Sequence, residues 1–302
     1  MKKTSYLPIS AILIIVISRI FLGSAFPMIK IGYELFGITQ TSSKILFAGI
    51  RFFIAGILVL SVTSARQRRF PTIKRANITN IVLVAATYTF LQYLFFYIGL
   101  SNTSGASASI ISPTSVFMAA IISHFVYPDD KLTLSKSVGT VIGFLGVLLA
   151  TLANDSMGRF SFFGEGFIAC SSFFFVIGSM LNKRATRIDD SFSVSSYNLL
   201  IGGAMLIISG LLGGAEGLTI TPKGILILLY LALLSAFSFT IWSSMARLYS
   251  IAKITVYNFI IPLSGSFLSA ILLGDNIFRW QYLLALSLIC AGIIAVNRVP
   301  KE

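Results

Sequence analysis

Residues 78–126 read ITNIVLVAATYTFLQYLFFYIGLSNTSGASASIISPTSVFMAAIISHFV. Two apolar runs, 78–100 and 105–126, flank the polar link Ser101-Asn102-Thr103-Ser104. A helix needs about 20 apolar residues to cross the hydrocarbon core of a bilayer. Each run has that length, and the short link makes the two helices antiparallel neighbours. Marks in this stretch return later in the chain. At an offset of 149, Pro113 answers Pro262, Phe90 answers Phe239, Tyr93 answers Trp242 and Ser101 answers Ser250. After a shift of three residues, Asp129 meets Asp275 and Gly146 meets Gly292.

Working outward, further apolar runs fall near 8–30, 43–63, 135–153, 164–183, 193–213, 224–246, 253–273 and 279–297, which makes ten spans in all. Loops are expected at Ser64 to Asn80, Tyr127 to Lys136, Asn154 to Phe163, Lys183 to Ser191 and Gly213 to Lys223. Of the 302 residues, 56% are hydrophobic and only 11% charged. A soluble domain carries about 25% charged residues. With a mean hydropathy of +0.90, lipid must be the solvent for much of this surface. The fold expected is all-α and integral to the membrane. The apolar run after Met1-Lys2-Lys3 is too long for a signal peptide and lacks a small-residue cleavage site, so it reads as a retained first helix.

The net charge of +13 fits topology better than nucleic-acid binding, because no basic domain exists to carry the latter. With the N-terminus in the cytoplasm, the inner segments hold sixteen of the 23 Lys and Arg, among them Arg66, Arg68, Arg69, Lys74, Arg75, Lys183, Arg184, Arg187, Arg247 and Lys253. The outer segments hold Lys44, Arg159, Lys223 and Arg279. That asymmetry is the positive-inside rule, and it places both termini in the cytoplasm of an inner-membrane protein with an even number of spans.

Five spans per half is an odd number, so the second half, 156–302, enters the membrane upside down relative to the first, 1–155. Two inverted five-helix repeats around a midplane site form a transporter architecture. Several motifs resemble the drug/metabolite transporter superfamily, EamA type. They are Leu22-Gly23-Ser24-Ala25-Phe26-Pro27 with Lys30, Arg51-Phe52 in the second span, and Gly146 and Gly292 near the ends of the fifth and tenth. Nearly the whole chain is covered. The resemblance implies alternating access by a monomer or weak homodimer, often exporting amino acids, other metabolites or drugs. Two departures stand out: Leu22 replaces the usual Trp, and Asp129 and Asp275 replace the usual Glu.

Charged groups at membrane depth are costly and mark candidate sites. Three stand out, Arg19, Lys30 and Arg51, with no Asp or Glu at mid-membrane to neutralise them. Arg19, Gly23, Phe26 and Lys30 are spaced four, three and four, which puts Arg19 and Lys30 on one helix face. Pro27 cannot donate to the Gly23 carbonyl and frees that oxygen. Lys30 also fits an outer-interface position, snorkelling or paired with Glu34. Arg51 also fits a clamp on helix ends. Pro113 and Pro262 either kink helices for packing or free carbonyls beside Ser112, Ser115, Asn258 and Ser264 for a solute. Tyr88, Gln92 and Tyr93 of the third span, with Ser238 and Trp242 of the eighth, place aromatic and polar groups on helices that correspond in the repeat. Trp242 could equally anchor at an interface. The expected solute-binding set is therefore Arg19, Phe26, Lys30, Tyr88, Gln92, Tyr93, Ser112, Pro113, Ser238, Trp242, Asn258 and Pro262.

His124 reads as a packing residue or a proton carrier. Cys170 and Cys290 lack ligand spacing, and no metal or cofactor motif is present. Gly139-x-x-x-Gly143 permits close helix approach and reads as packing within the monomer rather than dimerisation. The function these features favour is a secondary transporter for a small amphiphilic solute, amino acids foremost, rather than an enzyme. Intramembrane cations suit a carboxylate, and aromatics suit an apolar side chain. A lipid-acting membrane enzyme would need clustered His, Asp or Glu, and a passive channel would need a charge ring or filter.

Overall fold

The first helix, α1 (Ile9–Phe36), runs through Pro27 and stops at Gly37. There the backbone turns left-handed at φ 66°, and the Gly37 N–H returns to the Glu34 carbonyl at 3.3 Å. Glycine suits this position because a Cβ would strain it. The computed structural model describes residues 7–103, 108, 111–127, 131–152, 161–273 and 280–297. Asp129, Asp275 and both chain ends lie outside the described residues.

The other helices follow the apolar runs: α2 (Thr41–Gln67), α3 (Arg75–Ser101), α4 (Thr114–Val126), α5 (Leu134–Leu152), α6 (Phe162–Ile188), α7 (Ser191–Leu212) and α8 (Pro222–Leu248). Then come α9 (251–273) and α10 (Trp280–Asn297). No strand occurs among the described residues. Six helices, α1, α2, α3, α6, α7 and α8, are long and apolar enough to cross a membrane. Shorter apolar segments lie in the other four.

Two expected loops are shorter than the apolar runs suggested. α2 continues through Arg66 to Gln67, and α6 continues through Lys183 and Arg184 to Ile188. Beyond the hydrocarbon the helix still satisfies its own backbone, and long basic side chains can reach water. The turn between α6 and α7 is consequently tight. Asp190 caps α7 by accepting from the Phe192 N–H at 3.2 Å and the Ser193 N–H at 3.4 Å. Neighbouring Asp189 accepts from Asn77 Nδ2 at 2.8 Å, which fixes the start of α3. Thr221 caps α8 by accepting from the Gly224 N–H, with Pro222 at the first helical position.

Packing between helices has a reciprocal order. α1 lies on α8 and α9, as α6 lies on α3 and α4. α2 touches α8, as α7 touches α3. The two most extensive contacts join α2 to α7 and α5 to α10. The last of these answers the Gly139-x-x-x-Gly143 pattern. A methyl group at Gly139 would lie 2.8 Å from the Gly292 carbonyl oxygen of α10, so the motif serves packing within the chain.

Polarity is arranged inside out. Leu226, Leu229, Leu233 and Phe237 form an exposed stripe on α8, while Ser18, Thr89, Ser179, Asn182, Asn198 and Ser235 are fully buried. In lipid, apolar surface has no reason to hide, and polar groups must find partners inside. α3 departs from regular geometry through a π-helical turn at Ala85–Leu91. α6 passes so close to it that a methyl group at Gly178 would sit 2.5 Å from Tyr88 Cβ. π-turns inside α-helices are common at functional sites.

Candidate solute-binding site

Two guanidiniums lie buried within the bundle. Arg19 of α1 is 3% exposed. Its Nη1 donates to Oδ1 of Asn258 on α9 at 3.2 Å, and its Nη2 donates to Ser18 Oγ at 3.1 Å. Its Cζ lies 5.0 Å from the ring centroid of Trp242 on α8, and Nε has no partner. Arg51 of α2 is 1% exposed. Its Nε donates to Ser235 Oγ on α8 at 2.8 Å, its Cζ lies 4.9 Å from the Phe52 ring centroid, and Nη1 has no partner. Neither guanidinium meets a carboxylate among the described residues. Arg51 thus bonds a side chain in the middle of α8, which replaces the helix-end clamp its position suggested.

α3 supplies the aromatic wall shared by both cations. Tyr93 packs on Phe52 at a centroid distance of 4.4 Å and on Phe239 at 6.3 Å. Tyr88 packs on Phe239 at 5.1 Å and on Phe175 at 5.7 Å. Trp242 closes the wall against Phe175 at 5.2 Å. Arg51 meets this wall at Phe52, and Arg19 meets it at Trp242. Gln92 Oε1 and Ser238 Oγ, each next in sequence to one of these rings, are buried without partners. Desolvated donors and acceptors of this kind cost free energy unless another group meets them. Cations beside aromatic faces and open acceptors give a lining that can hold an anionic, partly apolar molecule.

Trp242 is 2% exposed, and its Nε1–H donates to Ser179 Oγ at 3.1 Å. This is an interior position, not a headgroup anchor. Behind it Asn182 Nδ2 and Ser195 Oγ both donate to Ser243 Oγ, at 3.1 and 2.7 Å. An expected outcome follows. With Trp280→Phe removing the other tryptophan, Trp242 emission should be blue-shifted and insensitive to lipid-borne quenchers at headgroup depth. Strong quenching there would put Trp242 at the interface.

Asn258 lies in a 3-10 turn, Val256–Phe259, just before half-buried Pro262. Pro262 cannot donate to the Asn258 carbonyl, which opens the helix ladder beside Arg19. The structure thus brings Arg19, Tyr88, Tyr93, Trp242 and Asn258 together. It does not bring Lys30 or Phe26 with them. Both are exposed on α1, Phe26 against Gly265. Arg19 and Lys30 share a helix face by count, but Trp242 and Asn258 cover that face only near Arg19. Ser112 and buried Pro113 sit at the head of α4, where the Ser112 carbonyl accepts from Ser172 Oγ of α6 at 3.0 Å. His124 Nδ1 accepts from the Leu132 N–H at 3.1 Å, a local tie between α4 and α5.

The sequence pattern of the EamA-like transporter family matches this chain twice, over residues 9–152 and 162–298. The chain belongs to the EamA-like transporter family. It is a multi-pass membrane transporter, not an enzyme. Among curated relatives, it is 26% identical over 227 residues to an uncharacterized transporter of Acidianus ambivalens, covering 72% of this chain and 79% of that one. The uncharacterized inner membrane transporter YedA of Escherichia coli (strain K12) is 25% identical over 281 residues, covering 91% and 86%. The uncharacterized transporter YvbV of Bacillus subtilis (strain 168) is 25% identical over 264 residues, covering 86% and 84%. One solved crystal structure shares the fold at a TM-score of 0.80 and 16% identity, covering 95% of this chain and 98% of its own.

Arg51, Phe52, Phe175, Ser179, Ser235 and Phe239 of this EamA-like chain were not in the expected solute set, yet they contact its members or the second buried guanidinium. Arg51 carried a sequence signal as a charge inside an apolar run, Phe52 as its partner in the Arg51-Phe52 motif, and Phe239 as the repeat partner of Phe90; Phe175, Ser179 and Ser235 carried none. The serines are unremarkable in a membrane helix until a partner is seen beside them.

Proposed function

We propose that the chain is a secondary transporter that moves a small carboxylate-bearing organic solute, an amino acid or similar metabolite, by alternating access. The observation that carries this reading is the pair of buried guanidiniums, Arg19 and Arg51, with unpartnered nitrogens and no carboxylate beside them among the described residues. An unpaired buried cation costs several kcal/mol by the usual order of magnitude, and a bound carboxylate offsets that cost. Export is the direction that the family resemblance implies.

The reciprocal helix packing and the double family match support ten spans arranged as inverted repeats, 1–155 and 156–302, with the site between them. Packing of Gly139 on α10 within the chain supports a monomer or weak homodimer. The distribution of Lys and Arg supports cytoplasmic termini. A reporter active only outside the cytoplasm, fused after Glu302, should therefore stay silent; activity there would overturn the orientation.

A thermal-shift screen of the purified protein tests the solute class. Carboxylate-bearing metabolites should raise the melting temperature in a saturable way, and their primary amides should not. Equal shifts by acids and amides would remove the carboxylate from the proposal.

A further inference from the structure

Two guanidiniums in one site make a demand on charge that a single carboxylate does not meet. Arg19 and Arg51 approach from different helices, α1 and α2, and meet one run of packed rings: Arg51 lies over Phe52, which packs on Tyr93 and Phe239, and Arg19 lies over Trp242, which joins the same run through Phe175 and Tyr88. Arg19 keeps Nε unpartnered, and Arg51 keeps Nη1 unpartnered. Their existing partners, Asn258, Ser18 and Ser235, are all neutral. A zwitterionic amino acid brings no net negative charge, and its ammonium would be repelled by both arginines. A monoanion compensates one guanidinium and leaves the other buried and unpaired. We propose that Arg19 and Arg51 together hold a solute with two anionic groups, one at each guanidinium, its carbon skeleton lying along the Tyr93, Phe239 and Tyr88 rings. This inference rests on the carboxylate reading above and narrows it from carboxylate-bearing solutes in general to those with two anionic groups, which leaves out amino acids with a single carboxylate.

The chemistry recognised is a short organic dianion, as a dicarboxylate or a carboxylate with a phosphate ester supplies. A guanidinium presents several N–H donors in a fixed plane, so each arginine suits one carboxylate or phosphate group.

Isosteric probes separate the charges. Binding is read from Trp242 fluorescence in a Trp280→Phe background, which needs no transport. Succinate is compared with its monoamide, succinamate, and its diamide, succinamide; phosphoglycolate is the phosphate arm. Succinate should bind at least tenfold tighter than succinamate, a step of about 1.4 kcal/mol, with succinamide weakest. Arg51→Gln should erase the preference for succinate while changing succinamate binding by no more than twofold, and Arg51→Lys should restore part of it. If phosphoglycolate outcompetes succinate, the second group is a phosphate ester and the dianion assignment stands. If succinate and succinamate bind equally, or if Arg51→Gln weakens both alike, the dianion assignment fails and the monocarboxylate reading survives. If no acid binds better than its amide, both fall.

Discussion

Arg19→Gln is expected to cut uptake of carboxylate solutes by about 30-fold or more while leaving the melting temperature of the detergent-purified protein unchanged or higher. Both halves come from one feature. Arg19 is buried with neutral partners only among the described residues, so in the empty protein its charge is a burden. Removing an uncompensated buried charge relieves a desolvation penalty. In the loaded protein the same charge meets the solute. Truncating one partner of a buried, hydrogen-bonded charge pair costs about 2–5 kcal/mol, and each 1.4 kcal/mol is about tenfold in affinity. A strut would behave in the opposite way. If Arg19→Gln melts several degrees lower and loses acids and amides equally, Arg19 holds helices together and does not read the solute.

Gly23→Val is expected to abolish recovery of folded protein, and Gly23→Ala to lower its melting temperature clearly. α1 crosses α9 at this residue. A methyl group on Gly23 would sit 2.8 Å from the Gly265 backbone nitrogen and 3.0 Å from the Ile261 carbonyl oxygen. The methyl group would also run into the Ser264 hydroxyl, which could rotate away, but the two backbone atoms cannot, so the helices must separate. Overpacking typically costs about 1–3 kcal/mol, and valine adds two further methyl groups. The crossing also sets the site, because Arg19 lies one turn before Gly23 and its acceptor Asn258 lies one turn before Ile261. Gly23→Ala should therefore weaken solute binding as well as stability. A normally stable Gly23→Ala protein with unaltered binding would show that this crossing is loose.

The helical, membrane-spanning character was legible because hydrophobic runs of about 20 residues have few other uses. Helix ends were less legible. Lys183 and Arg184 looked like loop residues, yet they are helical, since the end of an apolar run marks the hydrocarbon boundary and not the last backbone hydrogen bond. The buried arginine was legible in Arg19, because a charge inside an apolar run has few options. Its neighbours depended on which elements cover a given helix face. Lys30 shares the count-based face of Arg19 but is exposed, and periodicity along one helix cannot say where its neighbours stop. Ser179 and Ser235 became visible only with Trp242 and Arg51 beside them. The repeat pairing of Tyr93 with Trp242 pointed to two rings of one aromatic wall, Trp242 under Arg19 and Tyr93 against Phe52 beside Arg51.

Counterflow in proteoliposomes tests the central reading most directly. Vesicles holding the purified protein are loaded with an unlabelled carboxylate solute that stabilises it, then diluted into the same solute labelled at trace level. A carrier with one alternately exposed site predicts a transient accumulation of label above equilibrium, absent from empty vesicles and strongly reduced with Arg19→Gln. Label that enters without overshoot, at a rate indifferent to solute inside and to Arg19, would contradict a carrier built around this arginine.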